Sequence, residues 1–147
     1  MLWRRDQFWI SDQPQDLDIA VVHHFLKDAY WCKGIPRKTV EQALQGSLCM
    51  SLHSHTAMLG FCRAITDRAT FAFVGDVFIL QEFRGIGLGK WLIQCLLEHP
   101  ELQGLRRWLL ATRDAHGLYA GYGFTPLHKP EMFMEKLNPN IYSLGSG

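Results

Sequence analysis

One junction constrains this chain more than any other: a strand, a glycine turn and a helix follow one another between residues 70 and 97. Thr70 to Leu80 is dense in aromatic and β-branched residues and reads as a strand. Leu88, Trp91, Leu92, Cys95 and Leu96 recur at helical spacing, with Lys90, Gln94 and Glu98 facing away. Between them runs Arg84-Gly85-Ile86-Gly87-Leu88-Gly89-Lys90. Glycine at alternate positions removes the Cβ atoms that shield backbone N–H groups and permits positive φ. The helix behind it offers unsatisfied N–H donors and the positive end of its dipole. A hydrogen bond to a charged group contributes about 1.5–3 kcal/mol, so several converging donors hold a pyrophosphate, with Arg84 and Lys90 adding charge at the rim. The competing reading is a turn that serves helix–sheet packing alone.

Two common phosphate sites do not fit. In the Walker pattern Arg84 stands where the first glycine belongs, and Trp91 replaces the magnesium-binding hydroxyl. The dinucleotide fingerprint needs G-x-G-x-x-G, whereas this turn spaces its glycines as G-x-G-x-G, and no acidic residue follows a βαβ unit at the required distance.

The remaining elements place that junction in an α+β fold. The 147 residues are one domain's worth, read as a single unit over 1–138 with a loose tail over 139–147. Phe8 to Ser11 reads as a short strand, Ile19 to Tyr30 as a helix, and a second helix runs from near Pro36 to Gly46. Strands follow near 47–53 and 58–66, joined by the polar turn His53-Ser54-His55-Thr56. Beyond the glycine-turn helix come a strand at Arg107 to Thr112 and a short helix from Asp114, its expected cap, to Gly121. Gly123-Phe124-Thr125 opens a last hairpin with Met132 to Lys136. These elements surround one mixed sheet.

Composition removes several classes. With 15 basic and 14 acidic residues the net charge is +1, and no basic stripe suits a nucleic acid. No run reaches the ~18 apolar residues of a membrane helix. Cys32, Cys49, Cys62 and Cys95 are scattered among apolar neighbours, as in a reduced, cytoplasmic chain. The histidines show no zinc-like spacing, so no metal is expected, and His53 and His55 read as surface turn residues.

The segment from Asp76 to Lys90 resembles the signature of the GNAT superfamily of acyl-CoA N-acyltransferases: a strand followed by [QR]-x-x-G-x-[GA], met by Arg84, Gly87 and Gly89. A second block, Leu118-Tyr119-Ala120-Gly121-Tyr122-Gly123-Phe124, is similar to the family's L-Y-x-x-x-G-F. The resemblance spans about residues 45–136. It implies a mostly antiparallel sheet of six to seven strands flanked by about four helices, with the family's strands 4 and 5 splayed. It also implies acetyl-CoA as cosubstrate and direct attack by an amine. Backbone groups of Val77, Phe78 and Ile79 would pair with the pantetheine amides, and the N–H groups of Gly85, Ile86, Gly87, Leu88, Gly89 and Lys90 would hold the pyrophosphate, with Arg84 at its rim.

The same resemblance puts Tyr119 at the general-acid position, with Tyr122 the nearby competitor. A phenol with pKa near 10 is protonated at neutral pH and can donate to the leaving thiolate. Asp76 sits where strict alternation would give an apolar face; a bulge would change its parity, leaving it as base or as anchor for a cationic amine. Glu82, Tyr30 and Trp31 are further acceptor-side candidates, and His116 stands three residues before Tyr119. Thr112 occupies a position where family members often carry Asn. The acceptor is expected to be a small-molecule or peptide amine, and a homodimer is possible through an apolar patch near the C-terminal strands. A non-catalytic acyl-CoA-binding module is the alternative.

Overall fold

A computed structural model of the chain describes residues 1–143. Six strands form one sheet in sequence order: β1 (Leu2–Arg5), β2 (Phe8–Ser11), β3 (Leu48–Ser54), β4 (Ala57–Thr66), β5 (Phe71–Ile79) and β6 (Arg107–Leu110). Neighbours pair antiparallel through β5, and β6 runs parallel to β5. That parallel step requires a crossover, and α3 (Leu88–Leu97) provides it. The α+β architecture with a mostly antiparallel sheet is the one anticipated.

Helices cover both faces. On one, α1 (Ile19–Leu26) and α2 (Arg37–Gln45) bury Val22, Leu26, Val40 and Leu44 against Phe61 and Phe78. Asp18 begins α1 by accepting from the Val21 N–H at 3.2 Å. On the other face α3 buries Leu88, Trp91, Leu92, Cys95 and Leu96, the five periodic positions, and Ile93 as well. The short helix α4 (His116–Ala120) adds Tyr119 to that layer.

The structure departs from the sequence reading in five places. A first strand, β1, precedes the anticipated one; its polar-flanked Leu-Trp pair carries too weak an alternation to announce it. The last hairpin does not form: residues 133–137 are in no strand, so the described sheet stops at β6. α4 is not capped by Asp114; the Thr112 hydroxyl instead accepts from the Ala115 N–H at 3.1 Å. His53 is buried on β3, its ring stacked 4.0 Å from that of Trp9, because the strand runs on to Ser54 and the β3–β4 turn begins only at His55. Part of the presumed tail is placed: Tyr142 packs against the α1–α2 side, close to Gly34.

One irregularity positions the site. β5 and β6 pair only from Phe71↔Arg107 to Val74↔Leu110, after which β5 continues to Ile79 paired with β4 alone. The strands therefore diverge, and one flank of β5 beyond Val74 is left without a sheet partner. With β1 counted, the splayed pair is β5 and β6.

Candidate active site

The divergence of β5 from β6 opens a cavity of about 1180 Å³. Its walls are β5 from Phe73 to Ile79, the glycine turn, the end of β6, Leu118 and Tyr119 of α4, and Tyr30 and Trp31 from the α1–α2 connection.

The glycine turn forms one end. Gly85 and Gly87 have φ of 87° and 86°, and Gly87 is the left-handed N-cap of α3. A Cβ built on either meets nothing within 4 Å, so these glycines answer to backbone conformation and leave open space before the turn. Gly89 differs: it lies in the first helical turn, and a Cβ there would sit 3.6 Å from Ile79, an ordinary contact. No acceptor among the described residues takes the N–H groups of residues 85–90. Arg84 fastens the turn, its Nε donating to the Ile79 carbonyl at 2.7 Å.

At the other end β5 bulges. Arg63 faces Gly75 and Phe61 faces Phe78, so Asp76 and Val77 together oppose Cys62. Asp76 takes a left-handed φ of 55°, which a short polar side chain tolerates better than most. This shift of parity turns its carboxylate away from the apolar core. One oxygen accepts from Trp31 Nε1 at 2.7 Å; the other pairs with Arg63 Nε at 2.6 Å. Arg63 Nη1 donates onward to the Ser47 hydroxyl. Tyr30 meets Trp31 edge-on at 5.1 Å, and the Arg113 guanidinium lies 4.0 Å over the Tyr30 ring.

Tyr119 lines the same cavity. It is 8% exposed, its ring edge-on to Phe124, and its hydroxyl makes no hydrogen bond among the described residues. Burial pushes its phenol up to about 12, with the Cys62 thiol a smaller cause, so it stays protonated. Tyr122 is engaged elsewhere, its hydroxyl donating to the Lys90 carbonyl at 3.0 Å.

The sequence model of the Acetyltransferase (GNAT) domain matches residues 45–126, which hold the bulge, the glycine turn and Tyr119. The chain belongs to the GNAT family. Among relatives of this GNAT protein is a candidate acetyltransferase of Gibberella zeae, 30% identical over 140 residues that cover 80% of this chain and 78% of that one. A crystal structure from Xanthomonas campestris pv. campestris, assigned to the same family, is 47% identical with a TM-score of 0.90, covering 92% of this chain and 96% of that one. A GNAT family protein from Streptococcus pneumoniae TIGR4 shares the fold at 24% identity and a TM-score of 0.69, covering 89% and 98%.

Within this GNAT fold most of the residues singled out from sequence line one cavity: Tyr30, Trp31, Asp76, Val77, Phe78, Ile79, Arg84, Gly85, Gly87, Leu88, Gly89, Lys90 and Tyr119. Ile86 and Glu82 do not; Ile86 is 62% exposed and Glu82 lies exposed on the turn Gln81–Phe83. His116 is exposed on the other side of α4 from this cavity. Arg63, Arg113 and Phe25 also line the cavity and were not singled out from the sequence. Arg63 lies mid-strand, and nothing local announces that it faces a bulge formed 13 residues later. Thr112 did carry a signal, a hydroxyl residue three positions before the first turn of a helix. Among the described residues no group of three or more His, Cys, Asp or Glu side chains could hold a metal ion, and no helix is long and apolar enough to cross a membrane.

Proposed function

We propose that this protein transfers an acetyl group from acetyl-CoA to a primary amine, on a small molecule or a peptide, by direct attack of the amine on the thioester. The observation that carries this reading is the run of free N–H groups at residues 85–90, bared by left-handed Gly85 and Gly87, opening into the cavity that also holds the Tyr119 phenol. Those donors and the N-terminus of α3 suit a diphosphate. The unpaired flank of β5 at Val77, Phe78 and Ile79 suits the amides of a pantetheine arm, which add to it as a strand would. A strand N–H near Phe78 then polarises the thioester carbonyl.

The C–S bond breaks as the C–N bond forms, and Tyr119 donates its proton to the departing thiolate. The proton that the attacking nitrogen loses returns through solvent to the phenolate, leaving amide and free thiol. Its raised pKa keeps the proton available, and its hydroxyl has no competing partner among the described residues. Asp76 acts as an anchor of the acceptor side. Both of its oxygens are already engaged, which supports positioning over proton abstraction.

A binding-only reading draws on the same engagement of Asp76, since both of its oxygens already have partners in Trp31 and Arg63. One assay separates the two readings: acetyl-CoA with a panel of amines, followed by free-thiol release and by calorimetry with CoA. Thiol release that depends on the amine and falls in Tyr119→Phe supports transfer. CoA binding without turnover on any amine supports the binding module, and absence of CoA binding to the folded protein defeats both.

A further inference from the structure

Six charged side chains line the cavity: Arg63, Asp76, Arg84, Lys90, Arg113 and Asp114. Arg63 and Asp76 neutralise each other at 2.6 Å, and the other Asp76 oxygen is taken by the Trp31 indole. Arg84 and Lys90 stand at the glycine turn, where a diphosphate would use them. Arg113 and exposed Asp114 remain, on the loop between β6 and α4, and neither enters an ion pair among the described residues.

Arg113 is the one that the fold holds in place. Its guanidinium lies 4.0 Å over the Tyr30 ring, Tyr30 meets Trp31 edge-on, and Trp31 bonds Asp76. A chain of contacts thus runs from Arg63 on β4 to the loop after β6. The Thr112 hydroxyl braces that loop by accepting from the Ala115 N–H at 3.1 Å. A guanidinium laid over a ring keeps its planar fork of N–H donors available. No acceptor among the described residues takes the donors of Arg113.

We propose that Arg113 selects the acceptor, and that the acceptor is a small amine carrying a carboxylate or phosphate group on the same molecule. This rests on the transfer reading above and names its substrate class. The oxyanion takes the open fork through paired N–H···O bonds, which the single ammonium of a lysine would not reproduce. The body of the acceptor lies along Tyr30 and Trp31, and its amine reaches toward the thioester. A polycationic acceptor is disfavoured, because Asp76 is already neutralised by Arg63 and Arg113 meets it as a like charge.

Matched amines test this through thiol release from acetyl-CoA: glycine, β-alanine and γ-aminobutyrate, each against its own carboxamide, and O-phosphoethanolamine against ethanolamine. The acid of at least one pair should exceed its neutral partner about tenfold in kcat/KM, mostly through KM. Which pair leads tells carboxylate from phosphate. Arg113→Met, which keeps the aliphatic stem on Tyr30, should bring that ratio to about one, and Arg113→Lys should restore only part of it. Equal rates in every pair, faster turnover of putrescine than of any acid, or a preference that survives Arg113→Met overturns the proposal. Calorimetry of the same pairs on the CoA-loaded protein separates this failure from that of the transfer reading. An acid that binds through Arg113 without turnover upholds the selectivity and defeats transfer. Turnover without acid preference does the reverse, and an acid that neither binds nor turns over overturns the selectivity too.

Discussion

Trp31 and Asp76, 45 residues apart, are joined by an indole-to-carboxylate hydrogen bond of 2.7 Å. The contact ties the α1–α2 connection to the bulge of β5, and so joins two walls of the cavity. Arg63 completes the arrangement from β4, with 12% exposure for the Asp76 side chain and 16% for its own.

Removing the carboxylate should therefore cost stability as well as function. Asp76→Ala leaves the Arg63 guanidinium largely buried without its partner, and a loss of about 3 kcal/mol is expected, the low end for breaking a buried pair. Trp31→Phe removes one charge-assisted hydrogen bond and should cost about 1.5 kcal/mol. Urea unfolding of both variants checks the order. In acetyl-transfer assays Asp76→Asn should raise the acceptor KM more than it lowers kcat; the reverse pattern would mark Asp76 as a base.

At the turn, Gly87→Ala should lower CoA affinity about tenfold, equivalent to about 1.4 kcal/mol, by shifting the amides away from their left-handed arrangement. Because the new methyl meets open space, the stability cost should be conformational only, about 1–2 kcal/mol. Calorimetry with CoA and a thermal melt measure the two effects separately. Equal affinity in variant and wild type would remove the turn from the binding site.

Tyr119→Phe should reduce kcat by about 10²- to 10⁴-fold while CoA affinity is kept. Tyr122→Phe loses only the bond to the Lys90 carbonyl and should cost about 1 kcal/mol of stability with kcat little changed. Thiol release is a clean readout for both, because Cys49, Cys62 and Cys95 are buried and burial raises the pKa of all four thiols.

His53 should give the stability a pH dependence. Its pKa is lowered, first by burial, against weaker opposing effects of Asp16 and Asp18, and its Nδ1 is buried without a partner. The unfolded chain therefore takes up the proton at higher pH than the folded one. The contribution is complete above the ordinary histidine pKa of about 6.5 and declines as pH falls below it, until the folded pKa is passed. Melts between pH 7.5 and 5 should show a steeper loss for wild type than for His53→Gln. Parallel curves would assign the dependence to other groups.

The sequence by itself determined the elements whose signals are local. The periodic face of α3, the glycine turn and the L-Y-x-x-x-G-F block each lie within a short window, because helix period, left-handed φ and a capped turn are set by neighbouring residues. That was enough to read the α+β class, the resemblance to the GNAT family and the wall of the cavity along β5. The tertiary structure alone decided what depends on contacts between distant segments. The Arg63–Asp76–Trp31 link joins three elements through a bulge that strand alternation cannot place. Tyr122 is set apart from Tyr119 only by the Lys90 carbonyl, 32 residues away. His53 is drawn inside by Trp9 despite its polar neighbours, and residues 133–137, strand-like in composition, stay unpaired. A strand's hydrogen bonds are made to another segment, so its composition states a preference that only an available edge can satisfy.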